Sequence, residues 1–268
     1  MRTTASALVF MIAGLLSLFV SARSQAAMNP SSAELYRAGQ YEAAIAKGET
    51  VGDAENLTIA AQAALAITTL KGSPCLDCAK RAEALARRAI GADPERSRAY
   101  VCLVASMAFE SRIVGVYASR NEHLPEQALE ALEKALKLAP EDPWALTALG
   151  GWHVEVVRSG GRFLARIMYG ARVEEAVEYF KRAMVLDPDN PLIGLNYALS
   201  LSSVAFNSRR AEIKSALEGA ITAMPRDAYG AAMKARAVKL NELLGKNARG
   251  EYLALASSYL GFPPKAAF

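Results

Sequence analysis

Few side chains in this chain are of the kinds that do chemistry. Two histidines, His123 and His153, and three cysteines, Cys75, Cys78 and Cys102, are the whole stock from which a metal or general-base site would be assembled. His153 falls on the apolar face of a helical stretch, where a packed or hydrogen-bonded core histidine is expected ahead of a ligand or base. His123 lies in Asn-Glu-His-Leu-Pro, a linker before a helix, and is expected to be exposed. Cys75-Leu-Asp-Cys78 sets two thiols three residues apart. In an oxidising compartment such a pair can close a small disulfide that pins a loop to the start of the next helix, and this structural staple is the expectation. A redox-active pair would need a βαβ context, and zinc would need two further ligands that the sequence does not place nearby. Cys102, among Val101, Leu103 and Val104, reads as a buried, unpaired, small apolar residue.

Other chemistry is equally sparse. The chain has no Gly-x4-Gly-Lys-Ser/Thr loop, no Gly-x-Ser-x-Gly elbow and no His-Glu-x-x-His pair. Asp187-Pro-Asp189 sits at a helix end before Asn190, where turn and capping chemistry explains it better than a metal site. No catalytic residue, metal or cofactor is assigned, and an enzyme is the poorer reading. Arg158, Arg162 and Arg166, with Arg172 beyond, are spaced by four and would share a face if one helix ran through them, although Gly160-Gly161 argues for a break. Phe163, Leu164, Ile167, Met168 and Tyr169 alternate with them. Such an amphipathic segment could dock a partner or an anionic surface. The plainer expectation is that its apolar side covers the core while the arginines are solvated.

The elements that position these residues emerge from internal repetition. Residues 81–94, 127–140, 175–188 and 212–225 align without a gap, each ending in proline. Ala82 and Ala86, Ala128 and Leu132, Ala176 and Phe180, and Ile213 and Leu217 are pairs at helical spacing. Each pair is followed by a small residue, Ala89, Ala135, Ala183 or Ala220, and then by a larger apolar one. Steps of four then three keep these positions on one helical face, where alanine lets a neighbouring helix approach closely. The proline stops each helix. Asp142-Pro143 and Asn190-Pro191 then put an N-capping side chain before a proline at the first helical position, so a new helix starts at once.

This register resembles the tetratricopeptide repeat family, whose second helices carry Ala-x3-large-x2-Ala-x4-Pro. The first-helix pattern is kept best by Leu149-Gly150, with His153 where the family often has tyrosine. An earlier degenerate unit runs through Ala33-Glu34-Leu35-Tyr36 and Gly39-Gln40-Tyr41-Glu42-Ala43-Ala44-Ile45. The resemblance implies an all-α, right-handed α-solenoid of stacked antiparallel helix pairs over residues 27–268. The terminal prolines at 94, 140, 188 and 225 are 46, 48 and 37 residues apart, against about 34 for the family. Insertions are therefore expected near residues 113–124 and 159–170. The second, with Trp144, Trp152 and the segment after Arg158, is similar to the tetratricopeptide component of periplasmic TRAP transporters and to the regulator of microtubule dynamics family.

Composition and the N-terminus add compartment. Arg2 precedes the uncharged apolar residues 7–20, and Ser24 and Ala26 are small residues at the two positions a signal peptidase inspects. A secretory signal peptide over residues 1–26, cleaved after Ala26, is expected, and the Cys-poor, Ala-rich style points to a bacterial periplasm. The alternative is an uncleaved segment anchoring the protein to the inner membrane. Of the net charge of +4, Arg2 and Arg23 belong to this segment, and their loss leaves 29 basic against 27 acidic groups. That balance supplies no cationic field for sequence-independent nucleic-acid binding.

Function follows from the resemblance as an expectation. Carried over from the family, the concave groove would be lined by Arg98, Val101 and Phe109, then Trp144, Thr147 and Glu155, then Leu192, Leu195 and Ser203. The set lacks the Lys and Asn array that clamps an acidic peptide terminus. The first expectation is a non-catalytic periplasmic adaptor that binds a protein or peptide there. The second is a solute-transport accessory that encloses a small apolar or amphipathic ligand, favoured if Trp144, Trp152 and Phe163 line a pocket. A membrane surface is a further, less favoured partner.

Overall fold

The computed structural model describes residues 30–264, and among them the protein is all-α, with thirteen helices and no strand. The leader expected over residues 1–26 lies outside the described residues. In chain order the helices are α1 (Ser32–Arg37), α2 (Tyr41–Val51), α3 (Ala54–Leu70), α4 (Leu76–Ala92), α5 (Ser97–Val114), α6 (Val116–Asn121) and α7 (Leu124–Leu138). They continue as α8 (Pro143–Tyr169), α9 (Val173–Leu186), α10 (Pro191–Ala205), α11 (Arg210–Thr222), α12 (Ala228–Gly245) and α13 (Arg249–Tyr259).

Local sequence sets the helix ends. Asp142 and Asn190 accept hydrogen bonds from the backbone N–H groups of Trp144 and Leu192, and Pro143 and Pro191 occupy the first helical turn. Ser31 and Glu34 form a reciprocal capping box at α1. Asp93, Ala139 and Asp187 each precede a proline and have left the helix with φ of −150°, −143° and −140°. A following proline clashes with the helical conformation and pushes its predecessor to extended backbone. The four aligned stretches are thus the C-terminal parts of α4, α7, α9 and α11, as their register implies.

Packing follows the same register. Ala89, Ala135, Ala183 and Ala220 are buried, as are the paired positions one and two turns before them. Opposite them, the partner helices present small residues or glycine. A Cβ on Gly150 of α8 would come within 2.9 Å of the Phe180 ring of α9, and one on Gly194 of α10 within 2.6 Å of the Ala216 carbonyl of α11. Both glycines are there because backbone meets neighbour directly. Phe180 in turn stacks on Tyr197 of α10, ring centroids 5.0 Å apart.

Successive helices pack on one another along the chain, and a second set of contacts joins α3 to α5, α5 to α8, α8 to α10 and α10 to α12. These five helices form an inner row, with α4, α7, α9 and α11 outside it. The row returns on itself: α12 touches α1. Tyr229 of α12 bonds the Thr69 hydroxyl of α3 at 3.2 Å, and Arg236 donates to the Thr69 carbonyl at 2.7 Å.

The irregular spacing has two structural causes. Gly115, with φ +87°, separates α5 from the short α6, and His123, with φ +55°, turns the chain into α7. Within α8 the backbone breaks at Gly161, φ +74° and ψ 157°. Only glycine reaches that conformation cheaply.

Two measurements test this packing. Gly194→Ala is expected to destabilise the protein by about 1–3 kcal/mol through overpacking. Gly151→Ala, where a Cβ meets nothing within 4 Å, should be neutral or stabilise by up to about 1 kcal/mol; chemical denaturation of both variants measures the contrast. Cys75 and Cys78 are joined, Cα atoms 5.2 Å apart, at the N-terminus of α4, and Cys102 is free and buried. The oxidised protein should therefore show one titratable thiol after denaturation and three after reduction; three before reduction would refute the staple.

Candidate functional site

The inner row surrounds a cavity of about 500 Å³. The carried-over groove positions converge on it: Arg98, Val101 and Phe109 from α5, Trp144, Thr147 and Glu155 from α8, and Leu192 and Leu195 from α10. Ser203 does not line it and instead donates to the Ser200 carbonyl. Val101, Thr147, Leu192 and Leu195 are buried rather than solvent-facing, and Val101 packs against Ala135 of α7 and Ala145 of α8. Trp152 also lines the cavity. Its indole N–H donates to the Pro125 carbonyl at 2.9 Å, so the ring is fixed. Phe163 does not reach the cavity and is 75% exposed.

Tyr229, Met233, Arg236, Tyr259 and Leu260 complete the wall. Sequence reasoning missed all five, since no proline-terminated stretch follows residue 225 to put α12 and α13 in register. The capping Asp227, which accepts from the Gly230 N–H, was the available signal.

Polar groups in the lining are few and mostly held. Arg98 pairs with Asp142 at 3.2 Å and lies over the Trp144 ring at 4.7 Å. Glu155 receives two guanidinium groups, Arg112 at 3.0 Å on Oε2 and Arg158 on Oε1. Burial opposes ionisation of Glu155, but Arg112 and Arg158 outweigh it and hold the carboxyl below its ordinary value of 4.5. Both arginines also grip the chain end: Arg112 donates to the Leu260 carbonyl at 3.1 Å, and the Phe262 ring lies 5.6 Å from Arg112 and 4.3 Å from Arg158. Gly261, φ +83°, allows this passage, because a Cβ there would strike the Phe109 ring at 2.8 Å. Arg236 differs from the others: it has the Thr69 carbonyl and the Tyr259 ring, 4.4 Å away, but no carboxylate within ion-pair distance among the described residues. Burial pushes its pKa down.

The titratable groups near the cavity are each held in one state. Glu155 is locked ionised between two arginines, and burial pushes the Cys102 thiol, which also lines the cavity, up to about 12. His153 lies outside the lining. It stacks on Tyr179 at 5.6 Å, and its Nδ1 accepts from the Arg172 N–H at 3.3 Å. Burial lowers its pKa, so it is a neutral packed histidine. His123 is exposed. Asp187 accepts from the Asn190 side chain and pairs with Arg226 at 3.0 Å, which accounts for it as turn chemistry. Among the described residues, no group of three or more His, Cys, Asp or Glu is placed to hold a metal ion.

The arginine row is divided by the break at Gly161. Arg158 points inward to Glu155, whereas Arg162 and Arg166 are exposed. Of the apolar residues among them, Tyr169 packs against Trp152, ring centroids 6.4 Å apart, but Leu164, Ile167 and Met168 are exposed along with Phe163, and Ala165 is the buried residue of this turn. No family model matches the chain, and no curated protein is detectably similar to it.

Glu155→Gln would leave Arg112 and Arg158 facing each other without a counter-charge, an expected loss of about 3–5 kcal/mol. Limited proteolysis should then release the residues after Tyr259. Because the folded pKa lies below 4.5, the stability that Glu155 contributes is complete above about pH 4.5 and is lost as pH falls through the folded value. The wild type and the variant should therefore converge in melting temperature on acidification.

Proposed function

We propose that the chain is a tetratricopeptide-type protein, a right-handed solenoid of antiparallel helix pairs, exported to the bacterial periplasm, that holds one small apolar or amphipathic molecule and is not an enzyme. The observation that carries this reading is the cavity of about 500 Å³ at the centre of the inner row. Its volume lies within the usual range for small-molecule sites, roughly 300–1,000 Å³, and its walls are mainly apolar with a few convergent polar groups. Trp144, Trp152 and Leu195 offer apolar surface, and Arg236 offers a guanidinium with no carboxylate of its own, suited to an acceptor-bearing head group.

The adaptor reading has weaker support, since positions such as Val101 and Leu195, which would contact a docked peptide, are buried. A solute-transport accessory is therefore preferred. The repeat register and the alanines at helix contacts support the tetratricopeptide assignment; the leader sequence supports export.

Native mass spectrometry of protein purified from the exported fraction without detergent is expected to show a bound small molecule. Ala105→Trp, which projects an indole into the cavity from α5, should abolish that mass while leaving the helical circular dichroism unchanged. Wild-type protein with no bound small molecule, or a bound mass that persists in Ala105→Trp, would count against the cavity as the site.

A further inference from the structure

The two insertions come together in space. Arg120 of α6 reaches the Met168 sulfur of α8 at 3.8 Å, and Val116, Leu164 and Met168 all line the cavity, so these two segments form its rim. Their outward faces are unusual. After the break at Gly161, Ala165 is 1% exposed, while Phe163 and Ile167 are 75% and 65% exposed. Phe163 and Ile167, four residues apart, share the side of the helix opposite Ala165. Tyr117 on α6 is 82% exposed. Leu164 and Met168 border the cavity and Tyr169 packs against Trp152, whereas Phe163 and Ile167 face away from the protein, on the side a helix that merely covers a core would fill with polar residues.

Charge completes the surface. Residues 157–172 and 113–121 contain no acidic residue. Arg162 and Arg166 have no carboxylate within ion-pair distance among the described residues, and Arg120 has only the methionine sulfur. Glu122 caps the C-terminus of α6, and Glu126, Glu130 and Glu133 of α7 border the hollow beside Met168 and Tyr169, where Glu126 accepts from the Tyr169 hydroxyl. Phe163 and Ile167 do not line that hollow.

We propose that the Phe163–Ile167 face, with Tyr117, Arg120, Arg162 and Arg166, docks on an anionic lipid bilayer and sets the rim of the cavity against it. Aromatic and aliphatic side chains flanked by unpaired arginines, with no carboxylate in residues 157–172, match the apolar boundary and negative head groups of such a surface. The binding is peripheral, for no helix among the described residues is long and apolar enough to cross a membrane.

Flotation of the purified full chain with phosphatidylcholine vesicles, with and without phosphatidylglycerol, tests this. Wild type should float with the anionic vesicles and lose binding in high salt. Phe163→Ser/Ile167→Ser and Arg162→Gln/Arg166→Gln should each weaken partitioning roughly ten-fold or more. All four positions are exposed, and unchanged melting temperatures would show that the fold is retained. Equal flotation with both vesicle types, undiminished flotation of either variant, or failure of wild type to float with the anionic vesicles would overturn the proposal. A dimer in native mass spectra that the Phe163→Ser/Ile167→Ser variant abolishes, in protein that does not float, would make a second copy the occupant instead.

Discussion

The structure depends on how closely paired helices approach. At the contacts between α8 and α9 and between α10 and α11, glycine in one helix meets the ring or backbone of the next, with no room for a further methyl group. Alanines 89, 135, 183 and 220 play the corresponding part on the outer helices. Small residues on one face allow short interaxial distances. Side chains from helices distant in sequence converge on the cavity that the inner row lines.

A second set of interactions ties distant segments together around the cavity: Tyr229 and Arg236 of α12 reach Thr69 of α3, and Arg112 and Arg158 hold Leu260 and Phe262 through a guanidinium–carbonyl hydrogen bond and ring contacts. These contacts join segments more than a hundred positions apart, and each places a guanidinium or hydroxyl group against a buried or half-buried partner. In such surroundings a missing partner is costly, so the closure is specific as well as stabilising. Glu155 illustrates this directly. It neutralises one of two adjacent guanidinium groups, and its removal would turn an organised wall into a repulsive one.

The reversed turn from Arg162 to Tyr169 follows from the same geometry. The break at Gly161 frees this turn from the direction of the preceding helix, so Arg158 stays inside with Glu155 while Arg162 and Arg166 face solvent. A spacing of four residues implies a shared face only within one continuous helix. Two glycines at that point were a sign of interruption, but not of the angle at which the chain would resume, which depends on contacts with α6 and α7.

Much of the secondary structure was legible in the amino-acid order because its determinants are local. Pro94, Pro140 and Pro188 impose extended backbone on the residue before them; Asp142 and Asn190 cap the helices that follow; the alanine register marks the contact face. Eight of the groove positions implied by the family resemblance share the cavity wall, since helical periodicity preserves which residues share a side. Whether that side met water or the rest of the chain was not local information. Closure by α12 and the residues near Phe262 rests on contacts across more than a hundred positions, and no periodicity encodes those. The sequence by itself determined the helices, their ends and their contact faces, whereas only the tertiary structure decided that the row closes around a cavity and that the Phe163–Ile167 side turns outward, because both depend on where distant segments meet.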